Sequence, residues 1–194
     1  MLDTQPYTGT PETVLEIFKV AYGSHGAQSW PLRKFIEQVV MHVRPRDYWS
    51  EALAVYYLTC GLRFRYLHDP ERVELVKSPE KLLHELETRG VAQGDCDDLT
   101  GFILASLSVL GVPSRIGTGA FEINPELWPQ LGSERPEKFG IRRIGEGWAG
   151  GPFTHVWAEG MRPDGVWGML DPVAGPDSGQ MRRRIRQVRY YTVG

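Results

Sequence analysis

The chain contains 194 residues with a formal net charge of -2; 41% of the residues are hydrophobic and 24% are charged. This length and this proportion of hydrophobic to charged residues fit one globular domain, with a hydrophobic core large enough to be stable without disulfide bonds. So small a net charge provides no overall field that would favour a nucleic acid or a membrane surface.

The cysteines and the N-terminus limit the compartment. Only Cys60 and Cys96 occur, so the sequence carries no disulfide framework. Cys60 falls at the end of a predicted helix, where a buried and inert thiol is the ordinary interpretation. Residues 1–6 lack the features of a signal peptide, and no apolar run approaches a membrane span. We therefore expect a cytoplasmic protein without a membrane partner, or one carried inside a larger, phage-like particle.

Helical signals fill the first sixty residues. The spacing of apolar residues predicts three helices, which cover about 11–22, 31–43 and 48–60. Pro11 suits the first position of the first helix, and Gly61 suits the position just after the third. We therefore predict an N-terminal helical subdomain over residues 1–61.

The remaining residues, 62–194, mix strands with helices. Short extended pieces are predicted at 62–67 and 73–76, followed by a helix that begins after Ser78 and ends before Gly90. The next helix is predicted to begin at Asp97 or Asp98 and to end at Gly111. Its apolar residues recur every three or four positions, which indicates a buried central helix; they are Leu99, Phe102, Ile103, Leu107 and Leu110.

Strands dominate the C-terminal part of the sequence. Four are predicted, at 115–121, 153–159, 166–171 and 187–193. Residues 122–152 form a Gly/Pro-rich connection that is long enough to suggest a functional loop. Helices followed by such strands predict an α+β fold, with residues 62–194 as its core.

The chemistry begins at Gly94-Asp95-Cys96-Asp97-Asp98, where a cysteine precedes the central helix. A thiol attacks as the thiolate, and the first turn of a helix offers N–H groups and the positive end of the dipole. The same N–H groups can form half of an oxyanion hole, and Asp95 or Asp97 can cap the helix. Acidic neighbours raise the pKa of a thiol, so an imidazolium partner is needed. Alone, Cys96 could equally be a small buried residue.

A histidine and an aspartate follow on two predicted strands joined by the turn sequence Arg162-Pro163-Asp164-Gly165. With Pro163 as the centre of the hairpin, His155 and Asp171 lie directly opposite each other, with Cβ atoms about 4.5–5.5 Å apart. Asp171 can then accept a hydrogen bond from the His155 ring and fix its tautomer. Cys96, His155 and Asp171 thus supply a nucleophile, a base and an orienting acid.

These motifs resemble those of the transglutaminase-like cysteine enzyme superfamily, whose core is papain-like. The likeness covers about Arg63 to Val173 and is carried by the Cys96 motif, by Thr154-His155-Val156-Trp157-Ala158-Glu159 and by Val166–Pro172. The lead-in, Arg65–Pro70 with Ser78-Pro79-Glu80, is similar to that of small bacterial and phage-type members. The resemblance implies a central helix packed on an antiparallel sheet, with Cys96 as nucleophile, His155 as general base and acid, and Asp171 as orienter.

The resemblance also implies the course of the reaction. An acyl thioester forms on Cys96, and water or an amine then resolves it. The Cys96 N–H would share the oxyanion hole with a side chain, for which Gln93 and Tyr66 are the candidates. Trp148 and Trp157 are candidates for lining a substrate cleft, although core packing explains them equally well.

The sequence gives little reason to expect a metal or a cofactor. No calcium-loop pattern occurs, and the three residues Cys96, His155 and Asp171 contain no closely spaced pair of zinc ligands. We therefore expect no cofactor and no metal.

One basic cluster stands apart from these motifs. Arg182–Arg189 could contact an acidic protein partner, although a solvated, charge-guarded edge strand is the interpretation that we favour.

We predict a cysteine peptidase, amidase or transamidase acting on peptide or protein amide and isopeptide bonds, with no nucleic-acid partner. The alternative is a structural or assembly component of a phage-like particle that uses the fold as a binding module.

Overall fold

The computed structural model describes residues 11–61, 63–67, 76–123, 141–144, 147–150, 155–173, 175 and 185–192, with the backbone alone at 11, 120–123, 141–144, 147–150 and 185–187. The helices are α1 (Pro11–Tyr22), α2 (Trp30–Val40), α3 (Tyr48–Cys60), α4 (Pro79–Arg89) and α5 (Cys96–Val109). The strands are β1 (Phe64–Tyr66), β2 (Ala92–Gly94), β3 (Ser114–Ile123), β4 (Ile141–Ile144), β5 (Gly147–Gly150), β6 (His155–Met161), β7 (Trp167–Leu170) and β8 (Ile185–Tyr191).

Local capping explains where several helices begin and end. The side chains of Ser29, Asp47 and Ser78 accept hydrogen bonds from backbone N–H groups in the first turns of α2, α3 and α4. Gly90 ends α4 in the left-handed conformation with φ 73°, which glycine adopts without strain. The predicted bounds of α3 and α4 therefore agree with the structure, because their start and stop signals are local.

The strands form a six-stranded sheet and a smaller two-stranded one. In the larger sheet the order is β4-β5-β3-β6-β7, and β8 also pairs with β3; each of these pairs is antiparallel. In the smaller sheet β1 and β2 run parallel. Helix α5 packs against the larger sheet, as the α+β prediction requires.

The hydrophobic core is continuous across the helices and the larger sheet. Every residue from Asp97 to Leu107 of α5 is buried, so this helix is surrounded on all sides. At Gly101 an added Cβ would lie 3.6 Å from Val20 and 3.9 Å from Ile17, so α1 packs closely on α5. One cluster of buried residues extends from Val14 of α1 to Leu170 of β7.

The predicted connection over 122–152 contains two strands that sequence periodicity did not indicate. Ile144 pairs with Gly147, so β4 and β5 form a hairpin joined by two residues. In the sequence Gly145-Glu146 lies between the two strands, and a dipeptide that begins with glycine is a known hairpin signal. The strands are four residues each, too short for an alternating pattern to stand out.

Other strand predictions differ from the structure at their ends. The first predicted strand, 62–67, is shortened to Phe64–Tyr66, and the last, 187–193, begins two residues earlier, at Ile185. Most of the predicted piece over 73–76 lies outside the described residues, and Val76 itself is not in a strand. None of the helices in the described ranges has both the length and the apolar character that crossing a membrane requires.

Candidate active site

The β6–β7 hairpin does not have the predicted register. Met161 pairs with Trp167 and Ala158 with Leu170, so the hairpin is centred on Asp164 rather than on Pro163. The turn is a three-residue loop: Arg162 N–H donates to the carbonyl of Val166. Gly165 occupies the left-handed region with φ 77°, which is typical of three-residue loops with a glycine bulge.

This shift changes the partner of the histidine but not the face on which it lies. Extending the register places Asp171 opposite Trp157, so His155 and Asp171 are diagonal neighbours and not a direct pair. Moving the centre by one residue moves each partner by two, which preserves the alternation of side chains between faces. The direct pairing was therefore wrong, whereas the shared face was right.

The structure contains the hydrogen bond expected between the two side chains. His155 Nε2 lies 2.6 Å from Asp171 Oδ2. Both residues are buried, with 5% and 1% of their surfaces exposed, so water does not compete with this contact. The other carboxylate oxygen, Asp171 Oδ1, accepts from Val173 N–H at 3.0 Å. Asp171 therefore contacts the ring through Nε2, and Nδ1 is the ring nitrogen that this contact does not use.

Cys96 is the first residue of α5, so the helix begins one or two residues before its predicted start at Asp97 or Asp98. Asp95 occupies the N-cap position but makes no capping hydrogen bond through its side chain. Thr100, one turn after Cys96 on the same face, donates through Oγ1 to the carbonyl of Val156 at 3.2 Å. Because Val156 follows His155, the first turn of α5 packs against the start of β6. The fold thus brings the nucleophile candidate to the end of the sheet that carries His155.

Three carboxylates surround the beginning of α5. One oxygen from each of Asp95, Asp97 and Asp98 lies within 4.8 Å of the others, and among the described residues these are the side chains that could hold a metal ion. Asp97 Oδ1 accepts from Asp98 N–H at 3.1 Å, and Asp98 Oδ1 accepts from Lys77 N–H at 2.5 Å. Asp98 fits against β2 because Gly94 has no side chain: an added Cβ would lie 2.7 Å from Asp98 Cβ.

The two oxyanion candidates lie on the small parallel sheet that leads into Cys96. Gln93 is in β2 and Tyr66 in β1, where Tyr66 pairs with Gly94 and Gln93 with Arg65. The Gln93 backbone is held at both ends: its N–H donates to Glu85 at 3.2 Å, and its carbonyl accepts from Lys77 Nζ at 2.6 Å.

Trp148 and Trp157 were the candidates for lining a substrate cleft, and the structure describes the side chain of Trp157 alone. Trp157 is fully buried, with 0% of its surface exposed, and its indole stacks on the His155 ring with centroids 6.0 Å apart. It fills the space left by Gly117, where an added Cβ would meet the indole at 2.2 Å. Trp157 is thus part of the interior beneath the histidine, which corrects its prediction as a cleft wall. Trp148 belongs to β5, and its side chain lies outside the described residues.

Two features near this site were not predicted from the sequence. Glu159 is fully buried and accepts from the Arg115 guanidinium at 2.6 and 2.8 Å. The hydroxyl of Tyr56 on α3 donates to the carbonyl of Asp171 at 3.2 Å. Both contacts join positions at least 44 residues apart, and no local pattern in the sequence signals either of them.

The second cysteine, Cys60, is the last residue of α3 and lies one turn after Tyr56. Burial raises the pKa of the Cys60 thiol, a hydrogen bond with Tyr56 lowers it, and the charge of Asp171 raises it further.

Of the basic cluster, Arg189 lies in β8, paired with Thr118 of β3, while 182–184 fall outside the described residues. In the described part of the chain β8 pairs only with β3, which agrees with the edge-strand interpretation.

Comparison with known proteins identifies the fold. The periplasmic domain of TgpA from Pseudomonas aeruginosa matches with a TM-score of 0.51 and 17% identity, over 91% of this chain and 52% of that one. The same domain bound to ethylmercury gives 0.49 and 18% over 90% and 53%. A proposed cysteine protease from Cytophaga hutchinsonii gives 0.48 and 16% over 99% and 55%. The chain spans about half the length of each of these structures.

No family model and no curated protein matches the chain. At these identities the structural likeness establishes the fold alone. The chain has a transglutaminase-like fold, as the sequence motifs predicted.

Proposed function

We propose that the protein is a thiol-dependent enzyme that transfers the acyl group of an amide or isopeptide bond. Cys96 acts as the nucleophile, His155 as general base and acid, and Asp171 as the acid that orients the imidazole. The observation that carries this proposal is the buried 2.6 Å contact between His155 Nε2 and Asp171 Oδ2 beside the first turn of α5. A histidine held this way has a fixed ring and a fixed tautomer.

The chemistry follows from the nitrogen that Asp171 occupies. Nδ1 of His155 accepts the thiol proton of Cys96, and the thiolate attacks the amide carbonyl. The C–N bond breaks as the imidazolium returns the proton to the leaving amine, and a thioester remains on Cys96. Water or a second amine, deprotonated by the same nitrogen, then attacks the thioester and releases an acid or a new amide. Hydrolysis and transamidation share every step up to the thioester.

Helix α5 supports the charges that develop. Its first N–H groups and the positive end of its dipole lie at Cys96, where the thiolate and then the oxyanion form. Of the two side-chain candidates for the oxyanion hole, Tyr66 fits better than Gln93. Tyr66 pairs with Gly94, and paired residues share a face; the face of Gly94 is directed at Asp98 in the first turn of α5. Gln93 alternates to the other face.

Substrate and location remain proposals. We propose a peptide or protein amide as substrate, a cytoplasmic location and no nucleic-acid partner. The basic cluster over 182–189 stays a prediction as a protein-binding site, as does the phage-type origin. The assembly-module alternative differs from the enzyme in one property: it requires no reactive thiol.

Iodoacetamide labelling at neutral pH, with the two cysteine peptides resolved by mass spectrometry, tests the proposal. We expect the wild-type protein and Cys60→Ala to be labelled at Cys96, and Cys96→Ala to lose the fast reaction. His155→Ala should slow labelling of Cys96 by about a hundredfold or more, because no base then forms the thiolate. If folded wild-type protein is labelled at Cys60 while Cys96 stays unmodified, the nucleophile assignment is wrong and the binding-module alternative is favoured.

A further inference from the structure

We infer that Tyr56 is a positioning residue: its hydroxyl fixes the backbone that carries Asp171, so that a helix of the N-terminal part sets the direction of the orienting carboxylate. The inference rests on the proposed function, because the direction of Asp171 matters to a reaction only through His155. It adds a residue from α3 to a site whose other members come from α5 and the β6–β7 hairpin.

Asp171 needs support from outside its own strand. Strand β7 ends at Leu170, and the last pair of its ladder with β6 is Leu170 with Ala158. Asp171 therefore lies beyond the ladder that fixes β7. In an antiparallel hairpin, a residue past the last pair is held only by what its own loop and other elements provide.

The loop after β7 is a closed turn that one side chain spans. Gly175 N–H donates to the carbonyl of Pro172 at 3.3 Å, and Gly175 takes φ 72°, a value suited to glycine. The Tyr56 hydroxyl lies 3.2 Å from the carbonyl oxygen of Asp171 and 2.5 Å from that of Gly175. The one hydroxyl proton of Tyr56 is thus shared between the carbonyls of Asp171 and Gly175, at the two ends of this loop.

The carboxylate of Asp171 has little rotational freedom once its backbone is held. Oδ1 accepts from Val173 N–H within the same loop, and Oδ2 meets His155 Nε2. The direction of Oδ2 therefore follows the position of the loop backbone, and that backbone is tied to Tyr56.

The environment of Tyr56 makes this tie rigid. Only 2% of Tyr56 is exposed, so water is not available to replace its hydroxyl on the two carbonyls. The contact between the Tyr56 hydroxyl and the Asp171 carbonyl places this part of α3 beside the loop. Removing the hydroxyl would remove both of these contacts, so that only the hydrogen bonds within the loop remain.

The test compares Tyr56→Phe with Tyr57→Phe. Tyr57 is the matched control because it is the next residue of α3 and is 52% exposed. The rate of iodoacetamide alkylation of Cys96 is measured against pH, with mass spectrometry separating the Cys60 peptide. We expect Tyr56→Phe to move the midpoint of the profile to higher pH and to slow labelling at mildly acidic pH about three- to tenfold. Tyr57→Phe should leave the profile unchanged. If removal of any hydroxyl from α3 were enough to move the profile, Tyr57→Phe would move it as well.

A double-mutant cycle with Asp171→Asn identifies the route of the effect. If Tyr56 acts through Asp171, then Tyr56→Phe adds no further shift in the Asp171→Asn background. An unchanged profile in Tyr56→Phe, or the same shift with and without Asp171, overturns the inference. If Asp171→Asn itself leaves the profile unchanged, the proposed function fails, and this inference fails with it. A shift in Asp171→Asn but none in Tyr56→Phe contradicts this inference alone.

A second variant covers the case in which Tyr56→Phe does not fold. At Gly175 an added Cβ meets nothing within 4 Å, but φ 72° is strained for alanine. Gly175→Ala therefore perturbs the same turn from the other end of the bridge without touching the core. We expect the midpoint to move in the same direction as in Tyr56→Phe; an unchanged profile in a folded Gly175→Ala protein counts against the inference.

Discussion

The two cysteines lie in different surroundings, at opposite ends of their helices. Cys96 begins a helix and therefore lies at the positive end of its dipole, next to the strand that carries His155. Cys60 ends a helix, is half-buried, and has the charge of Asp171 behind it. The helix N-terminus stabilises an anion, whereas burial opposes one at Cys60, although both residues pack against the same core.

The pH dependence of Cys60 labelling should follow from this difference. Burial raises the pKa of Cys60 above the ordinary value of 9.0, so its thiol stays protonated at neutral pH. In Cys96→Ala we expect labelling of Cys60 to be slower than that of a free thiol peptide at neutral pH and to keep rising at alkaline pH where the rate for the peptide has levelled off. Timed alkylation in buffers of increasing pH measures this; a labelling rate equal to that of the peptide at neutral pH would contradict it.

Arg115 and Glu159 form a buried ion pair in the larger sheet. The Glu159 carboxylate is fully buried, and the Arg115 guanidinium also lies over the rings of Trp167 and Tyr190, 4.2 and 3.7 Å from their centroids. Glu159 Oε1 in addition accepts from Trp157 Nε1 at 3.2 Å. The pair therefore fixes the layer on which the His155 ring stacks.

Arg115→Met should destabilise the protein because it leaves the Glu159 charge buried without its partner. We expect a loss of about 3 kcal/mol in the free energy of unfolding, measured by denaturant titration. Arg162→Met is the matched control: its pair with Asp164 is 2.8 Å long, but both side chains are about half exposed. That variant should lose no more than about 1 kcal/mol. Equal losses in the two variants would show that the burial of Glu159 has no energetic role.

At the scale of elements, the site depends on how closely α5 approaches β2 and α1. Gly94 lets Asp98 pack against β2, which fixes the first turn of α5 and hence Cys96. Gly101 lies in α5 about one and a half turns after Cys96, where α1 covers the helix. Gly94 and Gly101 both allow a close approach to α5, but a methyl group would have less space at Gly94 than at Gly101.

Alanine at these two positions should therefore have opposite effects. In Gly94→Ala the new methyl group overlaps Asp98 at 2.7 Å, so we expect a loss of about 1–3 kcal/mol in unfolding free energy and slower labelling of Cys96. In Gly101→Ala the methyl group meets Val20 and Ile17 at 3.6 and 3.9 Å, an ordinary contact distance. Better helix propensity should then stabilise that variant by up to about 1 kcal/mol. Thermal unfolding and iodoacetamide labelling measure both; a stable, normally labelled Gly94→Ala would refute the close approach.

At the scale of the whole molecule, the helical layer and the sheet share one core. The predicted boundary at residue 61 separates α3 from β1, but buried residues on both sides of it belong to the same cluster. Ile17 of α1 and Leu104 of α5, both fully buried, are members of this cluster, as is Ala158 of β6. The bridge from Tyr56 to the loop after β7 crosses the same boundary.

A shared core predicts a single cooperative unfolding transition. Far-UV circular dichroism follows the helices, and near-UV circular dichroism follows buried aromatic residues such as Trp157; we expect coincident midpoints. Ile17→Ala should shift both midpoints together and cost about 2–5 kcal/mol. Two separated transitions, or an Ile17→Ala shift confined to the far-UV signal, would instead indicate that 1–61 folds as a separate subdomain.

The sequence by itself determined the features whose causes are local. Helices α3 and α4 follow from caps and glycine stops. The cysteine, histidine and aspartate could be proposed as candidates because the chemistry of a triad depends on residue type and order. The shared face of His155 and Asp171 was also predictable, because alternation along a strand survives a one-residue change in the centre of the turn.

Only the tertiary structure decided what depends on contacts between distant segments. It set the hairpin register through the left-handed Gly165, and it buried Trp157 in the space left by Gly117 on a neighbouring strand. It also placed the Tyr56 hydroxyl on the loop of Asp171, 115 residues further along the chain. Such contacts leave no periodic trace in the sequence, because each is made by a single side chain whose partner is chosen by the packing of the whole fold.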